Sequence, residues 1–178
     1  MKKVLIFSST PRKNGNSEIL CEEFARGARE AGHTVETVCL REQSINFCRG
    51  CMACMSTGKC VQKDGMAALL DKMMEADVIV LATPVYFYNV SAQLKVLIDR
   101  TCPIYERLTG REFYYILTAA DTERESMERV VEGLRGFTVA CLEDPIERGT
   151  LYALGLEKTG EAKDSPYLSE AYAMGKEV

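Results

Sequence analysis

The sequence predicts an α/β fold, a doubly wound five-stranded parallel sheet in the order 2-1-3-4-5 with helices on both faces. Three observations carry this. Short apolar runs without alternation recur along the chain, the mark of strands buried on both faces. They alternate with stretches of helical periodicity, and parallel strands need such crossovers. The chain has 178 residues, which suits one domain spanning 1–178 with a full hydrophobic core.

Each element has its own signal. KVLIFS at 3–8 is the first strand. Residues 16–31 are helical, with Leu20, Phe24, Ala28 and Ala31 on one face, Asn16 or Ser17 as cap and Gly32 past the end. TVETVCL at 34–40 is the second strand. Residues 41–64 form a long polar connection. MAALLDKMMEA at 66–76 is a helix whose apolar face is Leu69, Leu70, Met73 and Met74, the methionines serving as core fillers. DVIVLA at 77–82 is the clearest buried strand. SAQLKVLIDR at 91–100 is a capped helix and EFYYILTA at 112–119 the fourth strand. Residues 122–141 are mostly helical, GTLYAL at 149–154 is a weaker fifth strand, and YLSEAYAMGK at 167–176 closes the chain as an amphipathic helix. Five strands in a chain of this length is the size of the flavodoxin-like fold, in which ligands bind beyond the carboxyl ends of the strands, at the switch point between strands 1 and 3.

Composition narrows the function classes. Hydrophobic residues make up 47% and charged residues 27%, ordinary for a soluble globular protein. The net charge is −4 and no basic block exists, which argues against nucleic acid as a partner. The opening MKKVLIF has an apolar run too short for a signal peptide or a membrane span. The expected compartment is therefore the cytoplasm, where thiols stay reduced. The eight cysteines are then not presumptive disulfides, and a dense cluster of them reads as metal binding or redox chemistry.

Chemistry is expected in the loops after strands 1, 3 and 4. SSTPRKNGNS, residues 8–17, has neither the GxGxxG dinucleotide fingerprint nor the GxxxxGK(S/T) triphosphate loop. It offers the hydroxyls of Ser9, Thr10 and Ser17, the amides of Asn14 and Asn16, and the guanidinium of Arg12, all beside a helix start whose free N–H groups favour a phosphate. The plainer alternative is a solvated turn before a capped helix. TPVYFYN, residues 83–89, follows a buried strand with three aromatics in a row. Pro84, Val85, Tyr86, Phe87, Tyr88 and Asn89 are placed to line a planar ring and meet its polar edge. The alternative is a hydrophobic plug or a subunit interface. Thr118, Ala119 and Ala120, at the end of strand 4, complete the set. A phosphate loop and a ring loop at one switch point indicate a phosphorylated planar heterocycle.

CRGCMACMSTGKC, residues 48–60, holds four cysteines. Cys48, Cys51, Cys54 and Cys60 have the spacing C-x2-C-x2-C-x5-C. Zinc knuckles separate their two C-x-x-C pairs by a dozen or more residues. Ferredoxin runs read C-x2-C-x2-C-x3-C-P and send the fourth cysteine to another cluster. Here all four are local, and Gly50 and Gly58 free the backbone to wrap a cube. The set suits one 4Fe–4S cluster. A thiol loop that holds no metal is the alternative.

These three segments, in order and spacing, resemble the NADPH-dependent FMN reductase family, and within it the iron–sulfur flavoproteins. The resemblance covers residues 1 to about 105 well and continues more weakly in the closing segment. It implies FMN bound without a covalent link, NAD(P)H as hydride donor, a small electron acceptor such as a quinone, flavin or metal ion, and assembly as a dimer or tetramer. Where the family reads Gly-Ser-Pro-Arg, this chain has Ser9, Thr10, Pro11 and Arg12, which keeps the hydroxyl on Thr10. Two other readings remain open: an iron–sulfur flavoprotein carrier reduced by ferredoxin, and a sensor whose loop toggles between thiol and disulfide.

Other polar residues carry less. His33, the only histidine, reads as a solvated turn residue. Cys21, Cys39, Cys102 and Cys141 read as small buried residues. Glu22, Glu23, Arg26, Arg29 and Glu30 form a solvated helix face, with Glu22 and Arg26 at pair spacing. No Ser–His–Asp set and no hydrolytic carboxylate pair is present. An oxidoreductase loses little by this, since a flavin carries the hard chemistry.

Overall fold

The computed structural model describes all 178 residues. Five strands, β1 (Lys3–Ser8), β2 (Thr34–Cys39), β3 (Val78–Pro84), β4 (Glu112–Thr118) and β5 (Ile146–Ala153), form one sheet in the order β2-β1-β3-β4-β5. Every pairing is parallel. The expected order is therefore the observed one. The strand bounds agree closely except for β5, which starts three residues early. A register shift opposite Phe113 and Tyr114 lets the polar stretch Ile146–Arg148 join the sheet, and edge strands tolerate such polarity.

Six α-helices connect and cover the strands: α1 (Asn16–Glu30), α2 (Ala53–Thr57), α3 (Met66–Glu75), α4 (Ala92–Asp99), α5 (Arg124–Thr138) and α6 (Tyr167–Lys176). The residues of β1, β3 and β4 alternate between two cores, one on each face of the sheet. Leu5, Phe7, Ile79 and Leu81 pack with α3, α4 and α5. Val4, Ile6, Val78 and Val80 pack with α1 and α6. The continuous apolar runs thus serve both layers at once.

Leu20, Phe24 and Ala28 of α1 are fully buried, whereas Ala31 stands outside as the C-cap. α1 and α6 cross at glycines. A Cβ on Gly27 would lie 2.2 Å from the Tyr172 carbonyl oxygen, and one on Gly175 would lie 2.1 Å from that of Phe24. Only hydrogen fits there. Ser91 caps α4 by accepting from the Leu94 N–H. No helix is long and apolar enough to cross a membrane.

Several local readings are corrected. Neither Asn16 nor Ser17 caps α1; Gly15 holds the N-cap position with no side-chain cap. The 41–64 connection is not featureless, since α2 lies within the cysteine segment. Arg26 pairs with Glu23 and Glu30, not Glu22. His33 is half-buried and accepts the Lys2 backbone N–H at Nδ1. Of the scattered cysteines only Cys21 is buried, where burial pushes its thiol strongly upward. Cys39 is half-buried, and Cys102 and Cys141 are exposed, because both follow a helix end rather than sit on its inner face.

Candidate functional site: a cleft at the strand switch point

A cleft of about 260 Å³ opens at the carboxyl ends of β1, β3 and β4. One wall is the 10–17 loop and the start of α1, lined by Thr10, Arg12, Gly15, Asn16 and Ser17. The Asn16, Ser17 and Glu18 backbone N–H groups have no backbone acceptor. With no side-chain cap, this helix end presents donors and positive dipole to the cleft. Gly15 is required by crowding: a Cβ there would lie 2.5 Å from Thr10 Oγ1. Asn14 sits beyond it in the left-handed region at φ 57°.

Glu18, in the first turn of α1, steadies this loop. Its carboxylate accepts from the Asn14 N–H at 2.6 Å and from Arg41 at 2.7 Å. Burial works to raise its pKa, but Arg41, the Asn14 N–H and Cys39 outweigh burial and hold it below the ordinary glutamate value.

Pro84, Val85 and Tyr86 form a second wall and Thr118, Ala119 and Ala120 a third. The Val85 N–H donates to the Thr118 carbonyl at 2.8 Å, joining the two loops. The fourth wall, Leu156, Glu157 and Thr159, was not foreseen. Only the fold brings it in: Asn16 donates to the Leu156 and Lys158 carbonyls and accepts from the Gly160 and Ala162 N–H groups. The one sequence signal for this was an asparagine at the first position of a helix, which the structure buries.

Not every expected residue reaches the cleft. The Ser9 hydroxyl is buried, donates to the Ala82 carbonyl and bonds Ser91, so it ties β1 to β3 and α4. Asn14, Phe87, Tyr88 and Asn89 do not line the cleft. Tyr86 and Asn89 bridge a tight hairpin, with positive φ at both Phe87 and Tyr88, as a type I′ turn demands. Phe87 is fully exposed at 101%.

The four loop cysteines lie elsewhere. None of them lines the cleft. Cys48 instead lines a separate, mostly apolar groove, about 780 Å³, between the cysteine loop, α4 and α5. Gly50 donates its N–H to Cys48 Sγ at 3.5 Å, and Arg100 approaches Cys60 Sγ at 3.5 Å. The backbone turns through positive φ at Gly50, Met52 and Gly58. All eight cysteines are free thiols, and no three of them are gathered around one point.

Residues 2–141 match the NADPH-dependent FMN reductase family. The chain belongs to that family. As an FMN reductase family member it has the fold and ancestry of an oxidoreductase. Two iron–sulfur flavoproteins of Archaeoglobus fulgidus are similar to it. One is 34% identical over 99% of this chain and 93% of its own length. The other is 41% identical over 64% of this chain and only 51% of its own length, so the chain spans about half of that relative. Among solved structures, an azoreductase from Bacillus anthracis superposes with a TM-score of 0.78 at 17% identity, covering 100% of both chains; this likeness speaks for the fold.

The cleft of this FMN reductase family member fits FMN on its own geometry. It has an uncapped helix N-terminus, hydroxyls, a guanidinium and loop backbone at the switch point. The cysteine loop offers the donor chemistry of an iron–sulfur site, four soft thiols on thirteen residues with N–H groups directed at two of the sulfurs, but the thiols are not gathered around one point.

Proposed function

We propose that the protein is an FMN-dependent oxidoreductase that takes hydride from NAD(P)H and passes electrons to a small acceptor such as a quinone, a flavin or a metal ion, with a 4Fe–4S cluster on the Cys48–Cys60 loop. The observation that carries this reading is the uncapped α1 N-terminus, with its free N–H groups, in a cleft at the β1–β3 switch point.

Bound there, FMN would supply hydride acceptance and one-electron release, and a cluster would supply one-electron transfer. The chain's own residues then have these tasks. Thr10, Arg12, Ser17 and the first N–H groups of α1 hold the phosphate. Pro84–Tyr86 and Thr118–Ala120 flank the ring and keep water from one side of it. Asn16 locks the 156–162 segment against the phosphate wall. Cys48, Cys51, Cys54 and Cys60 are the cluster ligands. A reducing compartment such as the cytoplasm suits free thiols. The exposed Tyr86–Asn89 hairpin supports a homodimer or tetramer in which a second subunit covers it.

Stopped-flow mixing with NADPH, NADH and reduced ferredoxin tests the donor. Fast flavin bleaching by a nicotinamide is expected. Bleaching by ferredoxin alone would favour the electron-carrier reading instead. Anaerobic reconstitution with iron and sulfide, read by EPR of the dithionite-reduced protein, tests the loop. Single Cys→Ala variants should lose the cluster and keep FMN. If wild type takes up no more iron than a four-alanine variant, the loop is thiol chemistry or structure.

A further inference from the structure

We propose that Arg100 is the positioning residue of the cysteine loop, holding its fourth thiol, Cys60, and setting the electronic environment of that sulfur. This rests on the reading of the loop as a cluster site.

Arg100 follows the last turn of α4 and is the largest fully buried side chain of the protein, 2% exposed. A buried guanidinium needs a full set of acceptors. Asp64, only 5% exposed at its side chain, takes two parallel bonds: Nη1 to Oδ2 at 2.9 Å and Nη2 to Oδ1 at 3.0 Å. Nη1 also donates to the Asn46 carbonyl at 2.6 Å, and Nη2 reaches Cys60 Sγ at 3.5 Å. Asn46 and Asp64 bracket the cysteine segment, and Asp64 accepts from the Asn46 N–H as well. One side chain thus closes the base of the loop and touches its last sulfur. Cys48, Cys51 and Cys54 have no such anchor.

Arg100 Nε is buried with no acceptor. One donor of this guanidinium is therefore left without a partner, while Nη2 is the one that meets the Cys60 sulfur. A cationic N–H donor at a ligating sulfur stabilises added negative charge, so it favours the reduced form and raises the reduction potential. Lysine supplies the charge without the planar fork, and glutamine supplies neither.

The experiment compares wild type, Arg100→Lys, Arg100→Gln and Asp64→Asn, each FMN-loaded as a check of the fold. Each is reconstituted anaerobically with ferrous iron and sulfide, assayed for bound iron, and titrated by EPR for midpoint potential. Arg100→Gln should bind several-fold less iron, and what it binds should reduce at a more negative potential. Arg100→Lys should recover part of both. Asp64→Asn keeps the guanidinium but removes the carboxylate that neutralises it, so it should shift the potential in the positive direction, opposite to Arg100→Gln. Equal iron and equal potential in wild type and Arg100→Gln would overturn the proposal. Iron uptake by none of the proteins would defeat the cluster reading and the electronic half of the proposal with it. The anchor is then decided on iron-free protein by trypsin cleavage after Lys59 and Lys63, on either side of Cys60. Several-fold faster cleavage in Arg100→Gln supports the anchor, and equal rates overturn it.

Discussion

Ser17 Oγ and Thr118 Oγ1 lie 2.8 Å apart and buried, a hydroxyl pair that joins the first turn of α1 to the last residue of β4 across 101 positions of sequence. Both residues line the cleft. The pair fixes the distance between the α1 wall and the β4 wall of the cleft. Either hydroxyl can be the donor of the pair, which leaves the other proton free for a bound acceptor.

The phosphate wall is tested by ligand choice. Arg12→Ala and Ser17→Ala should weaken FMN binding. Loss of a charged hydrogen bond, expected for Arg12, is worth about 1.5–3 kcal/mol, or roughly ten- to a hundredfold in affinity. Riboflavin, which lacks the phosphate, should bind poorly to wild type. Titration by flavin fluorescence checks both. Equal affinities for FMN and riboflavin would make this loop a plain turn.

Acid should loosen the loop through Glu18. Its folded pKa is lowered from 4.5, so its contribution is complete above that value and is lost as pH falls through the folded pKa. Glu18→Gln removes the charge that Arg41 meets. The stability gap between wild type and Glu18→Gln, from urea midpoints, should therefore be widest near neutrality and narrow below pH 4.5. A gap unchanged from neutral to acid pH would contradict this.

Gly27→Ala tests the α1–α6 crossing. Its Cβ would meet backbone, the Tyr172 carbonyl at 2.2 Å, which has no rotamer to move. We expect about 3 kcal/mol of destabilisation or more, a fall in Tm of roughly 6–12 °C. Gly133→Ala, with open space around it, is the control and should be neutral or slightly stabilising.

Phe87→Gly separates assembly from folding. Phe87 is fully exposed at positive φ, so glycine relieves the backbone and forfeits no buried contact. Thermal stability of the subunit should hold, while light scattering at micromolar concentration should show a shift toward monomer. Unchanged oligomer mass would remove this residue from any subunit contact.

Much of this protein was legible before any coordinates. The strand order follows from alternating elements and apolar runs, because parallel pairing demands crossovers and two-sided burial demands continuity. The 8–17 and 83–89 loops and the end of β4 are contiguous segments next to strand ends, so their chemistry survives as local pattern. The cysteine spacing is local in the same way. What sequence alone left undecided is which side chains meet across distance. Ser9 looked like a ligand donor, yet the fold uses its hydroxyl to tie β1 to β3 and α4. Leu156, Glu157 and Thr159 reach the cleft only because Asn16 clamps a segment about 140 residues away. Arg100 read as the end of a helix, and became the anchor of the cysteine loop through partners 36 to 54 positions off. Periodicity encodes which face a residue takes and nothing about what it touches. Burial of polar groups forces each to find a partner, and only the packed chain decides which one.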